Sequence, residues 1–237
     1  MGGLVDKMAR ACGLFSTARL MIIMITGLIS FQSPSNARDI SSNWTNLLGA
    51  NQHWIGLSGD ELSFERYQKL IDSNATYSVG VNKKWQILTS LIREQKPYAQ
   101  LNLTQQFINT LPYHSDEELY LRHDYWAYAG EFLRNGGDCE DFAIAKYRLL
   151  IDAGFDPQRL RLVLVINTTT PEPHAILAAR LNKKTYILDN QRQAVSSEQD
   201  LSHYQVIYSL NQIGVWRHTP PQTPDQLENM AVATQSK

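Results

Sequence analysis

Cysteine is nearly missing from this chain. Two occur in 237 residues, Cys12 and Cys139, so no disulfide framework holds the fold together. Long apolar runs are missing too. The run Leu20–Ile29 spans ten residues, about half of what a bilayer-spanning helix needs. Neither sign of charge dominates: 22 Lys and Arg stand against 23 Asp and Glu. Without a basic excess or a basic stripe, a nucleic-acid partner is excluded. No internal repeat is visible, which removes solenoid architectures.

The short apolar run has its own meaning. Lys7, Arg10 and Arg19 precede it against Asp6 alone, and Ser35 and Ala37 follow it at the spacing of a signal-peptidase site. Residues 1–37 therefore read as a signal peptide cleaved after Ala37, with an uncleaved anchor as the alternative. Cys12 precedes the apolar run, so a lipid anchor on that thiol is not expected. Removing 1–37 leaves 19 basic and 22 acidic residues, a mild net charge of -3. The rest is long enough for one domain at 38–218, with a Pro-, Gln- and Thr-containing tail at 219–237.

Hydrophobic periodicity divides that domain in two. Residues 38–58 read as a polar, extended lead-in, and 60–73 approach helical spacing. A helix is expected over 78–95, with Val81, Trp85, Leu88, Leu91 and Ile92 on one stripe and Pro97 as its stop. Another is expected over 101–111, and a third after Gly136-Gly137, carrying Phe142, Ala143, Tyr147 and Leu150 and stopping near Gly154. The pattern then turns to strands at Leu160–Asn167, His174–Leu181, Thr185–Leu188, Gln205–Leu210 and Gly214–Arg217, with Asn182-Lys183 as a tight turn. Helices followed by antiparallel strands indicate an α+β fold.

A lone thiol on the exported side of a membrane is a liability unless it has a function. Cys139 sits in Gly136-Gly137-Asp138-Cys139-Glu140-Asp141, at the start of the expected helix. Unpaired N–H groups and the helix dipole favour a thiolate there, which is the nucleophilic form. His174 follows 35 residues later and Asp189 another 15. If their strands form a hairpin around Asn182-Lys183, an imidazole comes to lie beside a carboxylate. That arrangement fixes a tautomer and lets histidine take a thiol proton. Nearby Asp138, Glu140 and Asp141 oppose the thiolate. A hard cation would resolve the conflict, and carboxylates with a backbone oxygen suit calcium. The candidate ligands are Asp138, Glu140 and Asp141, with Asp124 a further one. Zinc on Cys139, His174 and Asp189 is the alternative, but it would consume the nucleophile. Trp126 reads as a core residue, or else as part of the active-site entrance.

The blocks Asp124-Tyr125-Trp126, Gly137-Asp138-Cys139-Glu140-Asp141-Phe142-Ala143, Pro173-His174-Ala175 and Leu188-Asp189-Asn190 resemble the bacterial transglutaminase-like cysteine proteinases of the LapG type, over about residues 60–217. The resemblance implies a papain-like, transglutaminase-core fold with a nucleophile helix packed on an antiparallel sheet. Cys139 would be the nucleophile, His174 the general base and then acid, and Asp189 the group that orients it. It implies a periplasmic, calcium-dependent endopeptidase that cuts the N-terminal retention segment of a large outer-membrane adhesin and so disperses biofilm. An inner-membrane cyclic di-GMP receptor of the LapD type would sequester it. The same Cys–His–Asp set would also serve a cell-wall amidase or a transglutaminase, since each proceeds through a thioester. A non-catalytic binding module is the rival from another class.

Overall fold

The computed structural model of the protein describes residues 52–56, 66, 69–70 and 79–218. The signal segment 1–37, most of the helical stretch at 60–73 and the tail 219–237 lie outside the described residues. In chain order the elements are β1 (Gln52–Gly56), α1 (Val79–Arg93), α2 (Pro97–Ile108), α3 (Asp116–Tyr120), α4 (Ala129–Asn135) and α5 (Cys139–Asp152). They continue with β2 (Leu160–Asn167), β3 (Pro173–Leu181), β4 (Lys184–Leu188), β5 (Ser196–Ser197), β6 (Tyr204–Asn211) and β7 (Gly214–His218).

The strands form one antiparallel sheet in the order β1-β7-β6-β2-β3-β4-β5. Part of the polar lead-in is thus the edge strand β1, paired to β7. Asn182 and Lys183 have φ of 49° and 65°, the left-handed pair of a two-residue hairpin turn whose twist matches the flanking strands. Leu177 lies opposite Leu188 in the β3–β4 register. Extending that register puts His174 and Asp189 diagonally across the hairpin end rather than directly opposite, a separation side chains bridge.

Three helical expectations need correcting. Leu91 is 57% exposed, whereas Trp85 and Ile92 are buried. One residue turns the helix by about 100°, so Leu91 cannot share the inward stripe with Ile92. Pro97 does not only end one helix. It opens the next, in the first turn of α2 behind the extended N-cap Lys96. Proline suits that position because the N–H it lacks would have had no helical partner. α2 ends at Ile108, short of the expected 111, where Thr110 N–H donates to Phe107 O in a tighter turn.

Helix α5 is the centre of the molecule. Its residues from Asp141 to Leu150 are all buried. One side, Ala143, Ile144, Tyr147 and Leu150, packs on Leu162, Leu177 and Leu210 of the sheet. The other side, Phe142, Ala145 and Leu149, packs on Trp85, Ile92, Ile108 and Phe132 from α1, α2 and α4. A helix covered on both sides is ordinarily apolar nearly all round, yet α5 also buries Asp141, Lys146 and Arg148. No described helix is long and apolar enough to cross a membrane.

Candidate active site

The turn before α5 brings the segment after α2 against the nucleophile. Tyr113 and Gly137 form a parallel bridge, and His114 N–H donates to Gly137 O at 3.0 Å. Gly136 has φ of 77°, and a Cβ on it would strike Pro112 O. A Cβ on Gly137 would strike the Asp141 carboxylate. Only glycines allow the chain to come this close.

Cys139 is the first residue of α5 behind the extended N-cap Asp138. Its thiol is half-buried and donates to Glu140 Oε2 at 3.1 Å. Burial, and then the Glu140 and Asp138 carboxylates, push the thiol up well above its ordinary value, against a smaller pull from the Ala175 amide. The sequence places a thiolate-favouring helix start here. In the structure burial first, and then the acids around it, outweigh the dipole. The thiol's hydrogen bond thus goes to Glu140 rather than to His174.

His174 and Asp189 are brought together. Nε2 lies 2.9 Å from Asp189 Oδ1, and both side chains are buried. An ionised carboxylate only accepts, so Nε2 carries the hydrogen and Nδ1 is left as the acceptor. Gln191 N–H donates to Asp189 Oδ1 at 2.9 Å and Tyr204 O–H to Oδ2 at 3.0 Å. Burial alone would raise the Asp189 carboxyl, but the hydrogen bond and charge of His174, with Gln191 and Tyr204, hold it below its ordinary value. Tyr204 was not legible in the sequence. It reaches Asp189 from β6, a strand across the sheet.

The acids also gather, with one addition. Carboxylate oxygens of Asp116, Asp138 and Asp141 lie within 4.8 Å of one another, as do those of Asp116, Asp124 and Glu140. Asp116 is new. Its signal is invisible in the sequence because Ser115-Asp116-Glu117-Glu118 reads as an ordinary capping box, which it also is. Asp116 accepts Tyr125 N–H, Asp141 accepts Ala127 N–H at 2.6 Å, and Asp124 pairs with Arg66. Asp116 Oδ1 and Asp138 Oδ1 are buried without a hydrogen-bond partner. Burial pushes Asp116 up to about 6, and burial with the Glu140 and Asp141 charges pushes Asp138 up to about 11. Converging carboxylates with orphaned oxygens fit a hard divalent cation of the calcium kind, which accepts six to eight oxygens. Zinc on Cys139, His174 and Asp189 is not among the clusters of described residues. Trp126 is 4% exposed and lies in the core against α5.

Comparison with known proteins bears on the family and the fold. The family described as bacterial transglutaminase-like cysteine proteinase (BTLCP) matches residues 78–222. No curated protein matches the chain. Among solved structures, calcium-bound LapG of Legionella pneumophila is similar with a TM-score of 0.53 and 26% identity, over 73% of this chain and 99% of that one. An EGTA-treated form of the same organism's LapG is similar with a TM-score of 0.53 and 29% identity, over 66% and 86%. The helices on an antiparallel sheet are the transglutaminase-like fold expected from the sequence.

Proposed function

From the premise that this chain belongs to the bacterial transglutaminase-like cysteine proteinases, we propose that it is a periplasmic, calcium-dependent cysteine endopeptidase. Its substrate is the N-terminal retention segment of a large surface adhesin, and its action disperses biofilm. An inner-membrane cyclic di-GMP receptor of the LapD type sequesters it. The observation that carries the chemistry is the buried His174–Asp189 pair, at 2.9 Å, on the sheet against which α5 packs with Cys139 as its first residue. The likeness to LapG supports the substrate class, and the export signal read at 1–37 supports the location.

Asp189 holds the Nε2–H of His174, so Nδ1 takes the thiol proton. The sulfur then attacks the scissile carbonyl carbon, and the Cys139 backbone N–H at the open end of α5 faces the oxyanion. His174 returns the proton to the leaving amine as the C–N bond breaks, leaving a thioester. Water, deprotonated by the same nitrogen, releases the acid. Asp116, Asp138, Glu140 and Asp141, with Asp124, would hold calcium, which supplies positive charge beside a thiol that these acids otherwise keep protonated. Glu140 belongs to both sets, since it accepts the Cys139 thiol and stands in the acid cluster.

The test is to incubate the purified protein with the adhesin's N-terminal segment, in calcium or in chelator, with Cys139→Ala as control. One new protein N-terminus that requires calcium and Cys139 is the expected result. An isopeptide bond or a released muropeptide in its place would make the protein a transglutaminase or a cell-wall amidase.

A further inference from the structure

Asp189 is held from two sides, and the second side is not part of the Cys–His–Asp chemistry. The turn after β4 presents two main-chain carbonyls to α2. Gln105 Nε2 donates to Asp189 O and to Arg192 O, at 2.7 Å each. Asn109 Nδ2 donates to the same two oxygens, at 3.2 Å and 2.7 Å. Gln105 on α2 and Asn109, its C-cap with helical backbone angles, are four residues apart, so they project from one face of the helix. Both amide nitrogens must face the turn, because carbonyl oxygens only accept. That orientation leaves Gln105 Oε1 and Asn109 Oδ1 buried without partners. Buried amide oxygens without a donor are unfavourable, and where a fold tolerates them something else is being satisfied.

The Asp189 carbonyl also accepts Arg192 N–H, at 3.2 Å. It thus has three donors for an oxygen with two lone pairs. Solvation of a loop carbonyl does not require this, but fixing its position does. The outer side of the turn borders an open polar cavity of about 470 Å³, lined by Asn109, Asn190, Gln191 and Arg192 among others. Packing therefore does not hold the turn from that direction.

We propose that Gln105 and Asn109 are positioning residues for the catalytic pair. They clamp the backbone of Asp189 and so set the bearing of its carboxylate on His174 Nε2. The catalytic consequence rests on the cysteine-peptidase reading above, but the clamp can be tested apart from it.

The experiment uses the full chain and follows iodoacetamide labelling of Cys139 by peptide mass, which needs no substrate. The variants are Gln105→Met, Asn109→Leu and the double variant. Each is close to its residue in size and removes the donor together with the partnerless amide oxygen. Asn109→Asp, which sets a carboxylate against two carbonyls, is the second route should the double variant not fold. His174→Ala sets the floor, and Gln106→Ala, exposed on the same helix, is expected to change nothing. Each amide reaches both carbonyls, so each single loss is partly covered by the other. Singles should slow labelling by about threefold or less and the double variant by about tenfold or more, towards the His174→Ala rate; a misplacement near 1 Å can cost up to about 100-fold. The labelling pH profile should shift with the rate, and peptide cleavage should lose kcat with KM unchanged. If the double variant, or Asn109→Asp in its place, melts earlier but its folded protein labels at the wild-type rate and with the wild-type pH profile, the pair is merely structural and the proposal is overturned. If labelling falls as expected but the wild-type protein cuts no peptide, the clamp stands and the peptidase reading fails.

Discussion

Glu140 accepts the thiol hydrogen of Cys139 and also stands in the acid cluster. Charge removed from Glu140 should therefore reach the nucleophile directly. In Glu140→Gln, labelling of Cys139 at neutral pH without calcium should rise about tenfold, the effect of one pH unit on a thiol. Wild-type protein should show a similar rise when calcium replaces chelator, and no rise in either case would detach the cluster from the thiol. Asp189→Asn should leave the fold intact but lower kcat by on the order of 10³–10⁴, because an amide no longer fixes the imidazole tautomer. A loss under about tenfold would remove Asp189 from its orienting role. The His174–Asp189 neighbourhood was legible because a hairpin with a two-residue turn converts sequence spacing into proximity. Asp116 was not, because it enters through the Tyr113–Gly137 bridge, a tertiary contact with no spacing rule. Gln105 and Asn109 were hidden for the same reason, since they reach Asp189 from the end of α2, 84 and 80 residues away, and Tyr204 was hidden because β2 and β3 separate β6 from β4 in the sheet.

At the scale of the element, α5 carries a cost at its middle. Lys146 is fully buried and its Nζ finds no hydrogen-bond partner. Burial lowers its amine to about 7, against an opposing pull from the Asp189 charge. Between that value and the ordinary 10.5, the unfolded chain binds a proton that the folded chain does not. Stability should therefore rise with pH across that window on account of this group, and below about pH 7 its full penalty is present. Lys146→Met, similar in length and uncharged, should flatten the slope of Tm against pH between 7 and 10. An unchanged slope would show that Lys146 keeps an ordinary amine. The burial pattern of α5 follows from its apolar residues, but its place between two layers did not. Periodicity assigns a face to a helix and says less about one covered on both sides. The same limit explains Pro97, where the end of α1 and the start of α2 share one signal, and β5, whose two residues are too short to carry a pattern.

On the scale of the whole molecule, the acid cluster joins three stretches: the start of α3, the segment leading to α4, and the start of α5. A cation there crosslinks loop to core. Calcium at a hundredfold excess over its Kd should add about 2.7 kcal/mol, several degrees in Tm for a domain of this size, and chelator should reverse it. Asp138→Asn should abolish most of that shift. A melting curve indifferent to calcium would leave the acids as a repulsive cluster with no ligand.

The edge strands have one further consequence. Gln52 of β1 lies in register with His218 of β7, on the opposite edge of the sheet from the β4–β5 pair. The strand β1 therefore closes an edge of the sheet with a segment that precedes every described helix, and without it β7 would present a row of unpaired N–H and C=O groups to any passing chain.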